Sequence, residues 1–201
     1  MRIAELCEIQ TGFTVRGRLE PDGPGARPCI QLSDVLDGVA IHPATLQLFD
    51  IGQVSNRYAV GPGDIVFKSR GQPNVACTIS EAMVEPAVAL LPLLILRPDR
   101  KIVTPEFLAW AINHPKAQRQ FDAEAQGTSL RMVSKASLEN IDVPVPDLRT
   151  QSLIVEAASL SARESSLLLA LADKRQRLSN FILADLVDRN RVGVPQKGVH
   201  Q

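Results

Sequence analysis

From Leu148 to Asn190 the chain contains neither glycine nor proline. Those two residues are the strongest local punctuators of structure, and their absence over so long a stretch leaves one regular element that fits. The composition is Ala, Leu, Ser, Arg, Gln and Glu, mostly helix-favouring, and Asp147 is a good N-cap. A continuous helix over Asp147–Asn190 is roughly 65 Å long at 1.5 Å per residue. That is too long for a compact domain of this size, so it must project or pack on a partner. One apolar seam runs through Ile154, Ala157, Ala158, Ser161, Leu168, Leu171, Ala172, Arg175, Leu178, Ile182 and Leu186. Its steps are mostly three and four, as an interhelical seam requires, and Ser161, Ser165 and Arg175 interrupt it. Leu167, Leu168, Leu169 and Leu171 read as helix interface rather than ligand pocket.

Before Pro144 the chain reads differently. Glycine and proline recur every few residues, and short apolar runs lie between them: Pro28–Leu32, Asp64–Phe67, Val88–Leu96 and Asn140–Val145. These predict short strands joined by turns. Thr104 as cap, Pro105 at the first helical position and Glu106 in the first turn predict a helix ending near His114-Pro115. Shorter helices are expected at Pro115–Ala125 and, capped by Ser134, at Ser134–Asn140. Trp110 reads as a packing residue. The segment Arg191–Gln201 reads as a disordered tail. The organisation is therefore α+β: a mixed-strand domain over residues 1–146, a long helix over 147–190 and a tail over 191–201.

Composition narrows the function. Lys+Arg and Asp+Glu balance at 22 each, and aromatics are only 4%, so neither a strongly basic chain nor a wall of base-stacking rings is present. The apolar run at Ala87–Leu96 is about half a membrane span, and no secretory signal is visible at the start; a soluble, cytoplasmic protein is expected. Cys7, Cys29 and Cys77 are scattered, as are His42, His114 and His200, which argues against a disulfide scaffold and a zinc site. No P-loop, HExxH or GxSxG motif occurs. Asp34 and Asp37 are explained by a turn. A Cys77–His114 nucleophile–base pair stays open as an enzyme alternative.

Charge distribution says more than charge total. Three windows carry two cations each and no acid: Ile9–Leu19 with Arg16 and Arg18, Ile65–Ser80 with Lys68 and Arg70, and Ala125–Leu138 with Arg131 and Lys135. Each also holds small and polar loop residues, among them Gln72, Asn74, Gly127 and Ser129. Lys and Arg hold phosphates, Gln and Asn can bond adenine through N6 and N7, and glycine lets backbone approach closely. Arg16, Arg18, Lys68, Arg70, Arg131 and Lys135 are candidate phosphate or guanine contacts. Gln72 and Asn74 are candidate adenine readers, Gly127 and Ser129 offer backbone N–H groups, and Arg57 is a weaker candidate.

Several stretches in this order resemble the specificity (S) subunit of type I restriction–modification systems. They are Ile3–Gly12, Val60–Val66, the helix TPEFLAWAIN at Thr104–Asn113, Gly127-Thr128-Ser129, and SLENIDVPVPDLRTQ at Ser137–Gln151. The resemblance covers about residues 1–185 and implies a half-length form: one target recognition domain and one conserved-region helix. It further implies that such helices pair antiparallel, coiled-coil fashion. The implied role is to select a DNA sequence, with methyltransferase (modification) subunits supplying S-adenosylmethionine chemistry and restriction subunits as further partners. The chain would then be non-catalytic, need no cofactor of its own, bind double-stranded DNA, and homodimerise through Ile154, Ala158, Ser161, Leu168, Leu171, Leu178 and Ile182 to read a bipartite site. The alternatives are a protein–protein adaptor that has lost DNA reading, or an unrecognised enzyme.

Overall fold

The computed structural model describes residues 1–189 except 16, 18, 22, 37–39 and 125–131. The chain divides into two units, Met1–Val155 and Glu156–Gln201.

The first unit is built on a four-stranded antiparallel sheet. Its strands are β1 (Cys7–Thr11), β6 (Ile65–Lys68), β7 (Ala76–Thr78) and β9 (Leu93–Pro98), in the order β1-β9-β6-β7. Alternation along these strands decides what each face meets. Ile65 and Phe67 of β6 and Leu94 and Leu96 of β9 face a helical layer, where they pack with Phe107, Ile112 and Phe121. Val66, Leu93 and Ile95 face the other way, toward a second sheet. The helical layer is α1 (Pro105–Asn113), α2 (Pro115–Glu124) and α3 (Lys135–Asn140). The rings of Phe67 and Phe121 meet at 5.6 Å and lock α2 onto the sheet.

The second sheet contains β2 (Glu20–Pro21), β3 (Arg27–Ile30), β4 (Gln47–Asp50), β5 (Ala59–Val60) and β8 (Ala87–Ala89), in the order β2-β4-β3-β8-β5. All its pairs are antiparallel except β3 with β8. Ile30, Ala87 and Ala89 point between the sheets, while Cys29 and Val88 point to the outer face with Phe49 and Leu90.

Capping explains the helix ends. The Thr104 hydroxyl accepts from Phe107 N, and the Ser134 hydroxyl accepts from Ser137 N. Asn113 closes the edge of the first sheet: its amide accepts from Ala76 N and donates to Ala76 O, both at 2.8 Å. An edge strand's free backbone groups are thereby satisfied.

Helix α4 (Leu148–Arg189) is 42 residues long, close to the span read from the sequence. The Asp147 carboxylate accepts from Thr150 N at 3.0 Å and from its hydroxyl at 2.7 Å. Gln151, one turn in, is fully buried. Its amide accepts from Thr104 N at 2.8 Å and donates to Ile102 O at 2.9 Å and Pro146 O at 2.8 Å. Ile154 and Val155 complete this root against the helical-layer core.

Two strand expectations need correction. The run Val88–Leu96 is two strands in different sheets, because the chain turns at Leu91-Pro92 and crosses from β8 to β9. The run Asn140–Val145 is no strand; it holds only an isolated bridge between Asp142 and Arg2. The tail expected to be disordered lies outside the described residues.

Candidate nucleic-acid interface

Strand polarity brings the three acid-free windows to one end of the first sheet. Thr11 pairs with Leu94, and Gly12 N donates to Leu93 O at 2.8 Å. Leu93 in turn pairs with Lys68. Gly12 and Lys68 therefore share one rung, two strand spacings or about 10 Å apart. The third window joins at Ser69, whose carbonyl accepts from Val133 N at 2.8 Å, while Arg70 and Met132 form an antiparallel bridge.

The turn between β6 and β7 is held from several sides. The Ser69 hydroxyl donates to Pro92 O. The Asn74 amide donates to Lys68 O at 3.0 Å, and the Gln118 amide donates to Asn74 O at 2.9 Å. A turn fixed in this way presents Arg70 and Gln72 as exposed side chains, with Lys68 half-buried behind them. The Gln72–Pro73 peptide is cis.

Asn74 is placed differently from its reading as an adenine contact. It is 0% exposed, and its amide nitrogen is spent on the turn. A base edge cannot reach it without opening the turn; its amide holds the turn that carries Arg70 and Gln72. Lys135 is exposed, but its ammonium lies 3.6 Å from Glu139 on the next helical turn. The window that lacks acid in sequence therefore gains one in space.

The Arg57 backbone lies farther along the first sheet. Its carbonyl is held by Arg97 Nη2 at 2.8 Å, together with Ala59 O at 3.1 Å, four residues along β9 from Leu93. Its guanidinium carbon stands 4.6 Å from the centre of the Tyr58 ring, and Tyr58 packs edge-on against Phe13 at 5.3 Å. Arg16, Arg18, Gly127, Ser129 and Arg131 lie outside the described residues.

The Cys77–His114 pair does not form. Cys77 lies in the core between the sheets, whereas α1, which ends at Asn113, packs on the opposite face of the first sheet. His114 lies against Trp110 with ring centroids 5.1 Å apart and the rings tilted by 47°, and its Nδ1 accepts from Lys116 N. Burial, then the nearby Glu139 carboxylate, pushes the Cys7 thiol up to about 12. Burial likewise raises Cys29 to about 11, against the lowering pull of the Phe49 backbone. No group of three or more potential metal ligands occurs among the described residues. None of their helices is long and apolar enough to cross a membrane.

Residues 1–159 match the family model described as the type I restriction modification DNA specificity domain. The chain belongs to this family. As a DNA specificity domain it shares its fold with three solved structures. One, from work on complex assembly and conformational transition of the type I R-M system, is 19% identical with a TM-score of 0.62, covering 90% of this chain and 42% of that one. The HsdS subunit from Thermoanaerobacter tengcongensis is 18% identical with a TM-score of 0.57, covering 83% and 37%. The type I S subunit from M. genitalium is 12% identical with a TM-score of 0.53, covering 95% and 46%. The specificity domain thus spans less than half the length of each of these chains. No curated protein is significantly similar to it.

In α4 the seam residues Leu168, Leu171, Leu178 and Ile182 are exposed, each about half or more. Ser161 is exposed too, while Ile154 and Ala158 are half-buried. Leu153, Leu160, Leu167 and Phe181 are also exposed. The first three recur at steps of seven, a heptad signal; of these, Leu167 alone was read as helix interface from the sequence. Ser69 escaped the sequence reading, and Gln151, which closes the segment Ser137–Gln151, had no role assigned there, because their partners are remote in the chain.

Proposed function

We propose that this chain selects the DNA sequence acted on by a type I restriction–modification complex, and itself performs no covalent step. The observation that carries the reading is the convergence of Gly12, Lys68, Ser69–Gln72 and Met132–Val133 at one end of the first sheet, in a chain of this family. Arg70 and Gln72 stand exposed there on a rigid turn. Arg70 suits a phosphate or a guanine edge, and Gln72 an adenine edge. Arg16, Arg18, Gly127, Ser129 and Arg131, near Gly12 and Met132 in sequence, are proposed as further contacts. Lys68 and Lys135 are proposed as phosphate contacts only, and Arg57 as a peripheral one.

The same reading gives the chain modification subunits as partners, with restriction subunits joining them, and places the complex with DNA in the cytoplasm. The exposed apolar residues of α4 support pairing with the helix of a second copy, which would make a two-fold reader of an inverted, bipartite site. Exposed apolar area on this scale is uncommon on a monomer.

The test is to express the chain with its modification subunit in a methylation-free host and sequence the methylome. A single methylated bipartite motif is expected. Arg70→Ala should then weaken binding to that motif and a scrambled duplex equally if it holds phosphate, or only to the motif if it reads a base, at about 1–3 kcal/mol per base contact. A chain that binds the modification subunit but no DNA would favour the adaptor reading. A monodisperse monomer at micromolar concentration in sedimentation would remove the homodimer.

A further inference from the structure

A stripe with steps of alternately three and four residues runs along α4 from Ala157 to Phe181. That spacing keeps its members facing one partner helix. Six of its eight members are apolar, and all eight are exposed, Leu160 and Leu167 at 61% and Phe181 at 71%. The neighbouring seam differs at its start, where Ile154 packs on the helical-layer core. The two polar members of the stripe are Glu164 and Lys174. Neither has an opposite charge three or four residues away on its own helix. Elsewhere on α4 such neighbours do pair, Asp173 with Arg177 and Asp185 with Arg189, each at 2.9 Å.

The stripe is complementary to itself when one copy is reversed. An antiparallel pair centred on Leu169 sets Glu164 against the second copy's Lys174, once on each side of the two-fold axis. The same alignment pairs Leu160 with Leu178 and Leu167 with Leu171. It also sets Ala157, the smallest member, against Phe181, the largest. A slip of one heptad either way puts Glu164 against Phe181 or Leu167, and Lys174 against Leu171 or Ala157, leaving charges buried without partners. A parallel pair in register sets Glu164 on Glu164 and Lys174 on Lys174. Helix length agrees independently. The midpoint of Leu148–Arg189 falls between Leu168 and Leu169, so the alignment overlaps the two helices end to end, with Arg189 level with the second copy's Arg149. On one flank Arg163 comes near the second copy's Arg177, whose charge Asp173 already meets. We propose that α4 pairs with α4 of a second copy through this stripe, antiparallel and in the register fixed by two Glu164–Lys174 contacts. The inference rests on the homodimer reading above and adds to it the face, the direction and the alignment. A polar layer in an apolar seam sets register in this way at some cost in stability. The second copy's Gln151 then lies level with Val187, so the two helix roots stand about 54 Å apart along the pair.

The test is a charge exchange read by sedimentation equilibrium of the full chain. Glu164→Lys and Lys174→Glu should each weaken self-association by more than about tenfold, because like charges then meet in two layers. The double exchange Glu164→Lys/Lys174→Glu should restore the wild-type dissociation constant, and an equimolar mixture of the two single variants should form a mixed dimer. Rescue by the double exchange excludes misfolding as the cause of the loss, and it excludes a parallel pair, in which like would still face like. A wild-type dimer that neither single exchange weakens, or that the double exchange does not restore, overturns the register while leaving the homodimer standing. A wild-type chain that stays single at micromolar concentration, alone and in complex with the modification subunit, overturns the homodimer reading and the register with it.

Discussion

Gln151 allows a quantitative test of how α4 is rooted. Its carboxamide makes three hydrogen bonds, to Thr104 N, Ile102 O and Pro146 O, and is sealed from solvent. Gln151→Met keeps the volume and removes all three. A typical bond contributes about 1 kcal/mol net, and orphaned buried partners raise the penalty, so the expected loss is about 3 kcal/mol. For a domain of this size that lowers Tm by about 6–12 °C. Gln151→Glu should cost at least as much, because a carboxylate cannot donate to the two carbonyls and would carry charge into the interior. Trp110 is the sole tryptophan and packs against Phe107 at 5.5 Å in α1, so its fluorescence reports the first unit. Urea unfolding followed at Trp110 should show a lower midpoint with an unchanged slope. A Gln151→Met midpoint within about 0.5 kcal/mol of wild type would show that the three bonds are not what holds the root.

Three further outcomes are expected. Gly12→Ala should destabilise the first unit by about 1–3 kcal/mol, since the added carbon would stand 2.8 Å from Leu90 C and 2.9 Å from Ala89 O; an unchanged urea midpoint would contradict this close approach. With Cys7 and Cys29 raised to about 12 and about 11 by burial and Cys77 fully buried, a thiol reagent at pH 8 should label none of them until denaturant is added, and rapid native labelling would refute the assignment. The bonds from Thr150 hold the Asp147 carboxyl below its ordinary 3.8, so the cap's contribution is complete above that pH and is lost as pH falls further. The helicity gap between wild type and Asp147→Ala, measured by circular dichroism, should be constant at pH 5–7 and close on acidification; a gap that persists at pH 2 would exclude the charged cap.

What was legible in the sequence is what local chemistry decides. Thr104-Pro105, Ser134 and Asp147 announce three helix starts because a cap and the backbone N–H it accepts from lie within a few residues. The length of α4 followed from missing punctuation alone. The division of Val88–Leu96 was not legible, because a Leu-Leu-Pro turn does not tell which sheet each flank will join; that depends on Cys29 and Ile30 pairing with β8, nearly sixty residues earlier. Asn74 misled for the same reason. A Gly-Gln-Pro-Asn turn looks solvated, and only Gln118 and the Lys68 carbonyl, supplied by other elements, make its last residue an interior one. Lys135 shows the linear window failing by a single residue, at Glu139.

The placement of the loops has a consequence for how such a chain can change. The helical layer and the core between the sheets hold the first sheet from both faces, while the exposed side chains Arg70, Gln72 and Met132 sit at one end of it. Substitutions there cost little stability, so the residues free to vary are the ones facing outward on the turn. Ser69 and Asn74, between them, are not free to follow. On the proposed reading, drift in preference proceeds one outward position at a time on a fixed frame, and retargeting the chain would start from positions 70, 72 and 132 while leaving 69 and 74 alone.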